Sequence, residues 1–359
     1  LALEYHQLEI TAIEPTAQNA VCVTFQIPAE LRANFTFVPG QHLTLRHRIN
    51  DEKLRRFYSI CTPQAGSQIR IGVRQIADGR FSGYLNNQAR VGDRIEVLAP
   101  RGHFCLKPES TGKHIIAFAA GSGITPIYSI LHNHLMGDPQ ATANLVYGNQ
   151  MTKSIMLCSD LNDLKDQYLD RFQMIHLLSR EQQDIDQLNG RIDRKSITKI
   201  IESGLVNPKN ASQIFVCGPA DMIGEVEFTL GEHGVDPALV SIERFTAIGS
   251  DAPVKIDQQT KKIVEGGVKV SFVQDGIEKE FSLNDPGDTV LSAAEKAGFE
   301  LPFSCAGGMC ATCRCKLIEG EVEMDVNYAL EPWELEAGFV LACQSRPKSA
   351  QLRLDFDAT

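Results

Sequence analysis

From the N-terminus to about residue 105, apolar and polar positions alternate in short runs. These are VCVTFQI, QHLTLRH, FYSICT, QIRIGVRQI and RIEVLAP, separated by the turn signals Pro39-Gly40, Ala65-Gly66 and Asp78-Gly79. A period near two, rich in β-branched and aromatic residues, is the pattern of a half-buried strand, and several such strands predict a small antiparallel β-barrel. From about residue 113 the pattern changes. The apolar runs IIAFAA, TANLVYG, QMIHLLS, QIFVCG and VSIERF alternate with longer amphipathic stretches, among them Thr125 to Met136 and Asp221 to Glu232. Strand and helix in alternation predict βαβ units and an α/β doubly wound parallel sheet. Residues 246–265 carry few large apolar residues and no period, and read as a linker. Beyond them VKVSFV and IEKEFSL flank Asp275-Gly276, a hairpin signal, and a helix is expected from Thr289 to Ala297, closed by Gly298. The chain is therefore expected to be multidomain, with segments 1–108, 109–245, a linker over 246–265, and 266–359.

Length agrees with this division, because 359 residues exceed what one core usually organises. Hydrophobic residues make up 43% and charged residues 22%, near globular averages, and no apolar run approaches the roughly 20 residues needed to span a bilayer. No basic-then-apolar leader follows Leu1, so a cytoplasmic protein with no membrane partner is expected. The net charge of -10 argues against a nucleic-acid partner, which needs a basic face. Between Leu317 and Ser345 there is no Lys or Arg, only Glu319, Glu321, Glu323, Asp325, Glu331, Glu334 and Glu336. Such a run is either a solvated face or a docking surface for a basic partner.

Six of the ten cysteines are scattered singly, which fits reduced thiols better than a disulfide framework. Cys22, Cys61, Cys105 and Cys158 are expected to be packing residues. The rest cluster in SCAGGMCATCRCK. Zinc sites typically pair Cys-x2-Cys with a distant second pair, whereas Cys-x4-Cys-x2-Cys followed by a remote cysteine is the plant-type [2Fe-2S] spacing. Cys305, Cys310 and Cys313 provide the first three, and Cys343, after 29 intervening residues, the fourth. Gly307 and Gly308 let the loop curl and aim N–H groups at sulfur, and Ala306, Ala311 and Thr312 leave room. Cys315 is surplus and reads as buried packing. A zinc knuckle is the other reading of this loop. With its hairpin, helix and loop in this order, the segment 266–359 resembles a plant-type ferredoxin domain. That resemblance implies an α+β β-grasp fold and the transfer of one electron at a time.

Arg56-Phe57-Tyr58-Ser59-Ile60 resembles the flavin motif of the ferredoxin-NADP reductase superfamily. The resemblance implies that Arg56 pairs with the pyrophosphate of FAD, Tyr58 packs on the flavin and Ser59 lies near its reactive nitrogen, with Ile60 and Arg74 also in the cofactor site. Gly79-Arg80-Phe81-Ser82 resembles that family's second phosphate loop, with Ser82 at a helix start, and Gly79, Phe81 and Ser82 are assigned to it. Gly121-Ser-Gly123-Ile-Thr125-Pro126 follows an apolar strand and opens a helix, the context of a pyrophosphate loop. It departs from Gly-x-Gly-x-x-Gly, since Pro126 takes the place of the third glycine, and matches the superfamily's Gly-x-Gly-Ile-Thr-Pro. Ser179-Arg180 resembles the pair that grips the 2′-phosphate of NADPH, with Arg191 a second contact. Cys217-Gly218-Pro219 resembles the segment beside the nicotinamide, and Glu243 and Phe245 the carboxylate and aromatic next to the flavin. Ser59, Cys217 and Glu243 are the catalytic candidates. Plant-type reductases end at that aromatic, whereas this chain continues.

Taken together, the resemblances imply a reductase component of a multicomponent oxygenase, carrying electrons from NADPH through FAD to a [2Fe-2S] cluster. The segments RRFYSIC, DGRFS, YGN, NGRID and CGPA, with the cysteine loop and NYALEP, resemble more narrowly the reductase subunits of phenylacetyl-CoA epoxidases. Their electron acceptor would be a diiron oxygenase subunit. A reductase serving a Rieske-type or steroid hydroxylase shares the architecture, and a non-catalytic zinc-binding scaffold is the reading from another class.

Overall fold

A computed structural model describes residues 4–62, 66–245, 258–303, 305–309 and 311–358. The turn residue Ala65, the cluster candidate Cys310 and the first part of the expected linker, 246–257, lie outside the described residues. The chain divides into two compact units, one over Tyr5–Phe245 and one built from the residues after Phe245.

The first unit opens with β1 (Tyr5–Ala17), β2 (Ala20–Gln26), β3 (His42–Ile49), β4 (Glu52–Ser59), β5 (Gln68–Arg74), α1 (Arg80–Asn87) and β6 (Arg94–Leu98). The strands form one antiparallel sheet in the order β4-β3-β6-β1-β2-β5. Its two edges meet where Ile60 bridges Ile71 and the Cys61 N–H donates to the Arg70 carbonyl at 2.8 Å, which closes the expected barrel. Leu8, Ile10, Val23, Phe25, Leu43 and Leu45 fill it. Strand β1 is not among the expected runs. Only Leu8 and Ile10 of it are fully buried, with Ile13 packed beside them, and register shifts near Ile10 and Pro15 blur its alternation.

The same unit continues with β7 (His114–Ala120), α2 (Ile124–Gly137), β8 (Thr142–Asn149), α3 (Cys158–Gln167), β9 (Phe172–Leu178), α4 (Arg194–Glu202), β10 (Gln213–Gly218), α5 (Ala220–Glu232) and β11 (Val240–Arg244). All neighbours are parallel in the order β11-β10-β7-β8-β9, the doubly wound arrangement with its switch point between β7 and β10. The strands are nearly all apolar because both faces are covered.

The second unit holds α6 (Gln258–Glu265), β12 (Val268–Gln274), β13 (Ile277–Leu283), α7 (Val290–Lys296), β14 (Arg314–Glu319), β15 (Val322–Met324), α8 (Pro332–Glu336), β16 (Phe339–Leu341), β17 (Ser345–Pro347) and β18 (Gln351–Asp355). Its main sheet runs β13-β12-β18-β14-β16, with β12 and β18 parallel. The hairpin turns at Asp275 and Gly276, whose φ angles of 54° and 71° suit a type I′ turn. Thr289 caps α7 by accepting the Ser292 N–H, and Gly298 (φ 85°) ends it. The linker expected over 246–265 is corrected over its last eight residues, which are α6. Thr260, Ile263 and Val264 fall on one helical face, and Val264, 1% exposed, packs into the core of this unit. Three such positions in eight residues are too few to reveal a helix in the sequence.

Candidate functional site

The loop after β7 is shaped by two glycines with different duties. Gly121 has φ +55°, a left-handed conformation, and its carbonyl accepts a hydrogen bond from the Tyr147 hydroxyl at 2.8 Å. Gly123 lies so close to β10 that a Cβ there would stand 2.1 Å from the Cys217 carbonyl oxygen. Thr125 donates to the Ser122 carbonyl at 3.0 Å, and Pro126 sits in the first turn of α2, where its missing N–H costs little. The cradle opens on a cleft of about 520 Å³ at the C-terminal ends of the parallel strands.

That cleft collects most of the expected nucleotide residues: Gly121, Ser179, Arg180, Arg191, Gly218 and Pro219, together with Arg74 and Phe245. Arg74 reaches across from β5, and one Nη donates to the Ser154 carbonyl at 2.6 Å. Its Nε is buried and has no hydrogen-bond partner among the described residues, 4.0 Å from the point where a Gly121 Cβ would stand. Arg180 is exposed and Arg191 pairs only loosely with exposed Asp221 at 3.3 Å. A backbone cradle that excludes Cβ atoms, an orphaned guanidinium N–H and two open arginines fit an anionic dinucleotide.

On the barrel side, Arg56 is half-buried; one Nη donates to the Arg55 carbonyl at 2.7 Å, and no carboxylate pairs with it among the described residues. The Tyr58 ring lies 6.1 Å from that of Phe81. The Ser59 hydroxyl donates to Glu243 Oε2 at 3.3 Å, joining β4 to β11 in a buried contact. Phe57, between Arg56 and Tyr58, meets Phe245 edge-on at 6.5 Å. The half-buried guanidinium, without a carboxylate and beside aromatic rings, fits a flavin nucleotide.

Four expected residues stand differently from their assigned roles. Ile60 is fully buried, and its N–H goes to the Gln41 carbonyl, so it closes the barrel by its backbone. Phe81 is 1% exposed and belongs to the barrel core. The Ser82 hydroxyl accepts the Ile76 N–H and donates to the Gly79 carbonyl, both at 3.1 Å, so it shapes the loop instead of facing outwards. Gly79 makes that possible, since a Cβ there would meet Ser82 Oγ at 2.5 Å. The Cys217 thiol is fully buried in an apolar cluster, and burial followed by the nearby Glu243 charge holds it well above the usual thiol range. It is a neutral side chain whose contribution is its backbone against Gly123.

In the second unit Cys305, Cys313 and Cys343 are all buried, and Cys305 and Cys313 are near enough to Cys343 to act on its thiol. Cys305 Sγ accepts the N–H groups of Gly307 and Met309, each at 3.3 Å. The loop curls through positive φ at Ala306 (49°), Gly308 (75°) and Ala311 (51°). Among the described residues no three His, Cys, Asp or Glu side chains form a complete metal-holding group, the expected member Cys310 lying outside them. Cys315 lies on β14 in the core of this unit, 1% exposed, its Sγ 3.9 Å from the Val340 carbonyl. Converging thiols with N–H groups aimed at sulfur fit an iron–sulfur cluster.

Sequence reasoning does not single out Gln344, whose amide contacts this loop, or Arg314, which pairs with buried Glu334 next to Cys313. Nor does it single out Phe57, or His42, which packs edge-on against Phe57 at 5.3 Å with both ring nitrogens unpartnered among the described residues. Burial lowers the His42 pKa to about 4, so the ring is neutral. Asn149 and Gln150 also line the cleft, and their place at the end of an apolar run is a usable signal.

Comparison with known proteins agrees with this partition. Residues 7–105 match the oxidoreductase FAD-binding domain, 118–227 the oxidoreductase NAD-binding domain and 272–348 the 2Fe-2S iron-sulfur cluster binding domain. The chain is 40% identical over 356 residues to a subunit of the 1,2-phenylacetyl-CoA epoxidase of Escherichia coli, covering 99% of this chain and 98% of that protein. It is 34% identical to the ferredoxin reductase component of 3-ketosteroid-9-alpha-monooxygenase from Mycobacterium tuberculosis, over 98% of this chain and 96% of that one. Phthalate dioxygenase reductase, 21% identical, shares the fold with a TM-score of 0.61 over 98% of both chains. No helix among the described residues is long and apolar enough to cross a membrane. The chain belongs to the family of oxygenase reductase components that join FAD-binding, NAD-binding and 2Fe-2S domains, the family that includes this 1,2-phenylacetyl-CoA epoxidase subunit of Escherichia coli.

Proposed function

We propose that this reductase draws electrons from NADPH in preference to NADH and delivers them to the diiron oxygenase subunit of a phenylacetyl-CoA epoxidase. The chemistry supplied here by bound FAD would be acceptance of a hydride from the nicotinamide and release of single electrons toward a [2Fe-2S] cluster. The residues supply position and charge. Arg56 clamps the flavin pyrophosphate and Tyr58 packs on the flavin, while Gly121, Gly123 and Arg74 cradle the phosphates of the nicotinamide nucleotide. Arg180 and Arg191 take the 2′-phosphate, for which an open guanidinium is suited and a carboxylate is not. Ser59 Oγ and Glu243 Oε2 form a buried pair that holds a proton beside the flavin. Cys305, Cys310, Cys313 and Cys343 hold the cluster.

The observation that carries this reading is the position of Phe245, which lines the nucleotide cleft and also meets Phe57 of the flavin strand at 6.5 Å. The two sites thus share a wall, which is what direct hydride transfer needs. The acceptor rests on the relationship to the Escherichia coli epoxidase subunit. The mycobacterial relative favours a second reading, a steroid oxygenase as acceptor. Reconstitution with purified oxygenase components decides between them. Substrate-coupled NADPH oxidation is expected with the phenylacetyl-CoA epoxidase subunits. Coupling only with a steroid or Rieske-type oxygenase would overturn the assignment.

A further inference from the structure

Gln344 follows the expected fourth cluster ligand and is 8% exposed. Its Nε2 is within hydrogen-bond distance of three acceptors: the Ala306 carbonyl at 3.0 Å, the Cys343 carbonyl at 2.9 Å and Cys343 Sγ at 3.5 Å. The two carbonyls accept only, which fixes the nitrogen end of the amide here, since its oxygen would face both of them. The stem is held as well. A Cβ on Gly308 would stand 3.2 Å from Gln344 Cγ, so the glycine at φ +75° leaves the channel through which the side chain reaches the loop. The Gln344 N–H donates to the Leu341 carbonyl, and its own carbonyl accepts the Asp325 N–H, both at 2.9 Å. Ala306 directly follows Cys305. One buried amide therefore spans the two separate chain segments that carry Cys305 and Cys343.

Resting on the assignment of these cysteines to a [2Fe-2S] cluster, we propose that Gln344 is a positioning residue that ties Cys343 to the Cys305 loop and that one of its two N–H groups, shared with a carbonyl, also donates to the Cys343 sulfur. Among the described residues, the backbone N–H groups of Gly307 and Met309 donate to Cys305 Sγ. Gln344 serves the remote ligand with a side chain. A donor on a ligand sulfur favours the more negative, reduced form, so it raises the reduction potential. It also offsets the entropic cost of holding two ligand segments together.

The test uses the full chain with its cofactors. Gln344→Met keeps the length and removes both N–H groups, and Gln344→Glu keeps the shape but turns an acceptor toward the two carbonyls. A redox titration followed by the cluster's paramagnetic signal is expected to show the reduced-to-oxidised ratio at fixed potential falling about 10-fold in Gln344→Met, a shift of about 59 mV for one electron. Cluster loss to an iron chelator is expected to quicken in both variants, most in Gln344→Glu. If either variant arrives without its cluster while the flavin band is intact and NADPH-reducible, the tie is supported. A retained cluster with the wild-type potential and chelator resistance in Gln344→Met overturns the proposal. A wild-type chain purified without iron–sulfur absorbance would instead overturn the cluster assignment itself.

Discussion

The nucleotide cleft and the cysteine loop reach the same end, an enclosed site for an electron carrier, by opposite means. The cleft draws its walls from residues as far apart as Arg74 and Phe245, and what shapes it is backbone: the positive φ of Gly121 and the approach of Gly123 to the Cys217 carbonyl. Its side chains are approximate, with Arg180 and Arg191 exposed and available. The loop keeps three expected ligands within nine residues and depends on the identity of single atoms, the sulfurs. The cleft should therefore be sensitive to added volume and lose affinity in steps as cations are removed. The loop should tolerate changes around its ligands and fail completely when one ligand changes.

The largest effect is expected at the loop. Cys343→Ser should abolish the iron–sulfur absorbance while the flavin is still reduced by NADPH; bands of undiminished intensity would mean that the fourth ligand lies elsewhere. Next is the backbone of the cleft. Gly123→Ala places a Cβ against the Cys217 carbonyl, and overpacking of this kind costs about 1–3 kcal/mol. Nucleotide affinity, read as the KM for flavin reduction, should fall while the cluster spectrum is unchanged. Arg180→Ala should then weaken NADPH about 10-fold or more, with NADH little affected, because one charge-assisted hydrogen bond is worth about 1.5–3 kcal/mol. Equal losses for both nucleotides would remove Arg180 from the 2′-phosphate site. The smallest effect belongs to Cys315→Ala, expected to cost about 1 kcal/mol in a denaturant midpoint and to leave the visible spectrum as it was. A changed spectrum would make Cys315 a ligand and blur the contrast between ligands and neighbours.

The two regions are also unequally legible. Metal spacing is legible in sequence where proposed ligands lie near one another in the chain, so Cys305 and Cys313 are picked out by a count and Cys343 by its remote position. Gln344 is not, because an amide that acts through reach and direction leaves no spacing. Gly121 and Gly123 are legible as a strand-to-helix loop, yet the reason for Gly123 is a carbonyl on β10, more than ninety residues later. Ser82 shows the limit of motif reading. Its place in the motif draws it into the phosphate site, whereas its hydroxyl is already taken by Ile76 and Gly79. The antiparallel strands, the parallel alternation and the hairpin are readable because burial imposes a period. Helix α6 and strand β1 are not, since each buries only a few side chains.

One chain carrying electrons from a nicotinamide nucleotide through a flavin to an iron–sulfur centre is the central claim. Anaerobic addition of NADPH to the purified chain, followed by visible absorption and then by electron paramagnetic resonance, tests it most directly. The flavin band should bleach, and the signal of a reduced [2Fe-2S] cluster should follow without any added mediator. A colourless protein, or a flavin that is reduced while the cluster stays oxidised, would contradict it.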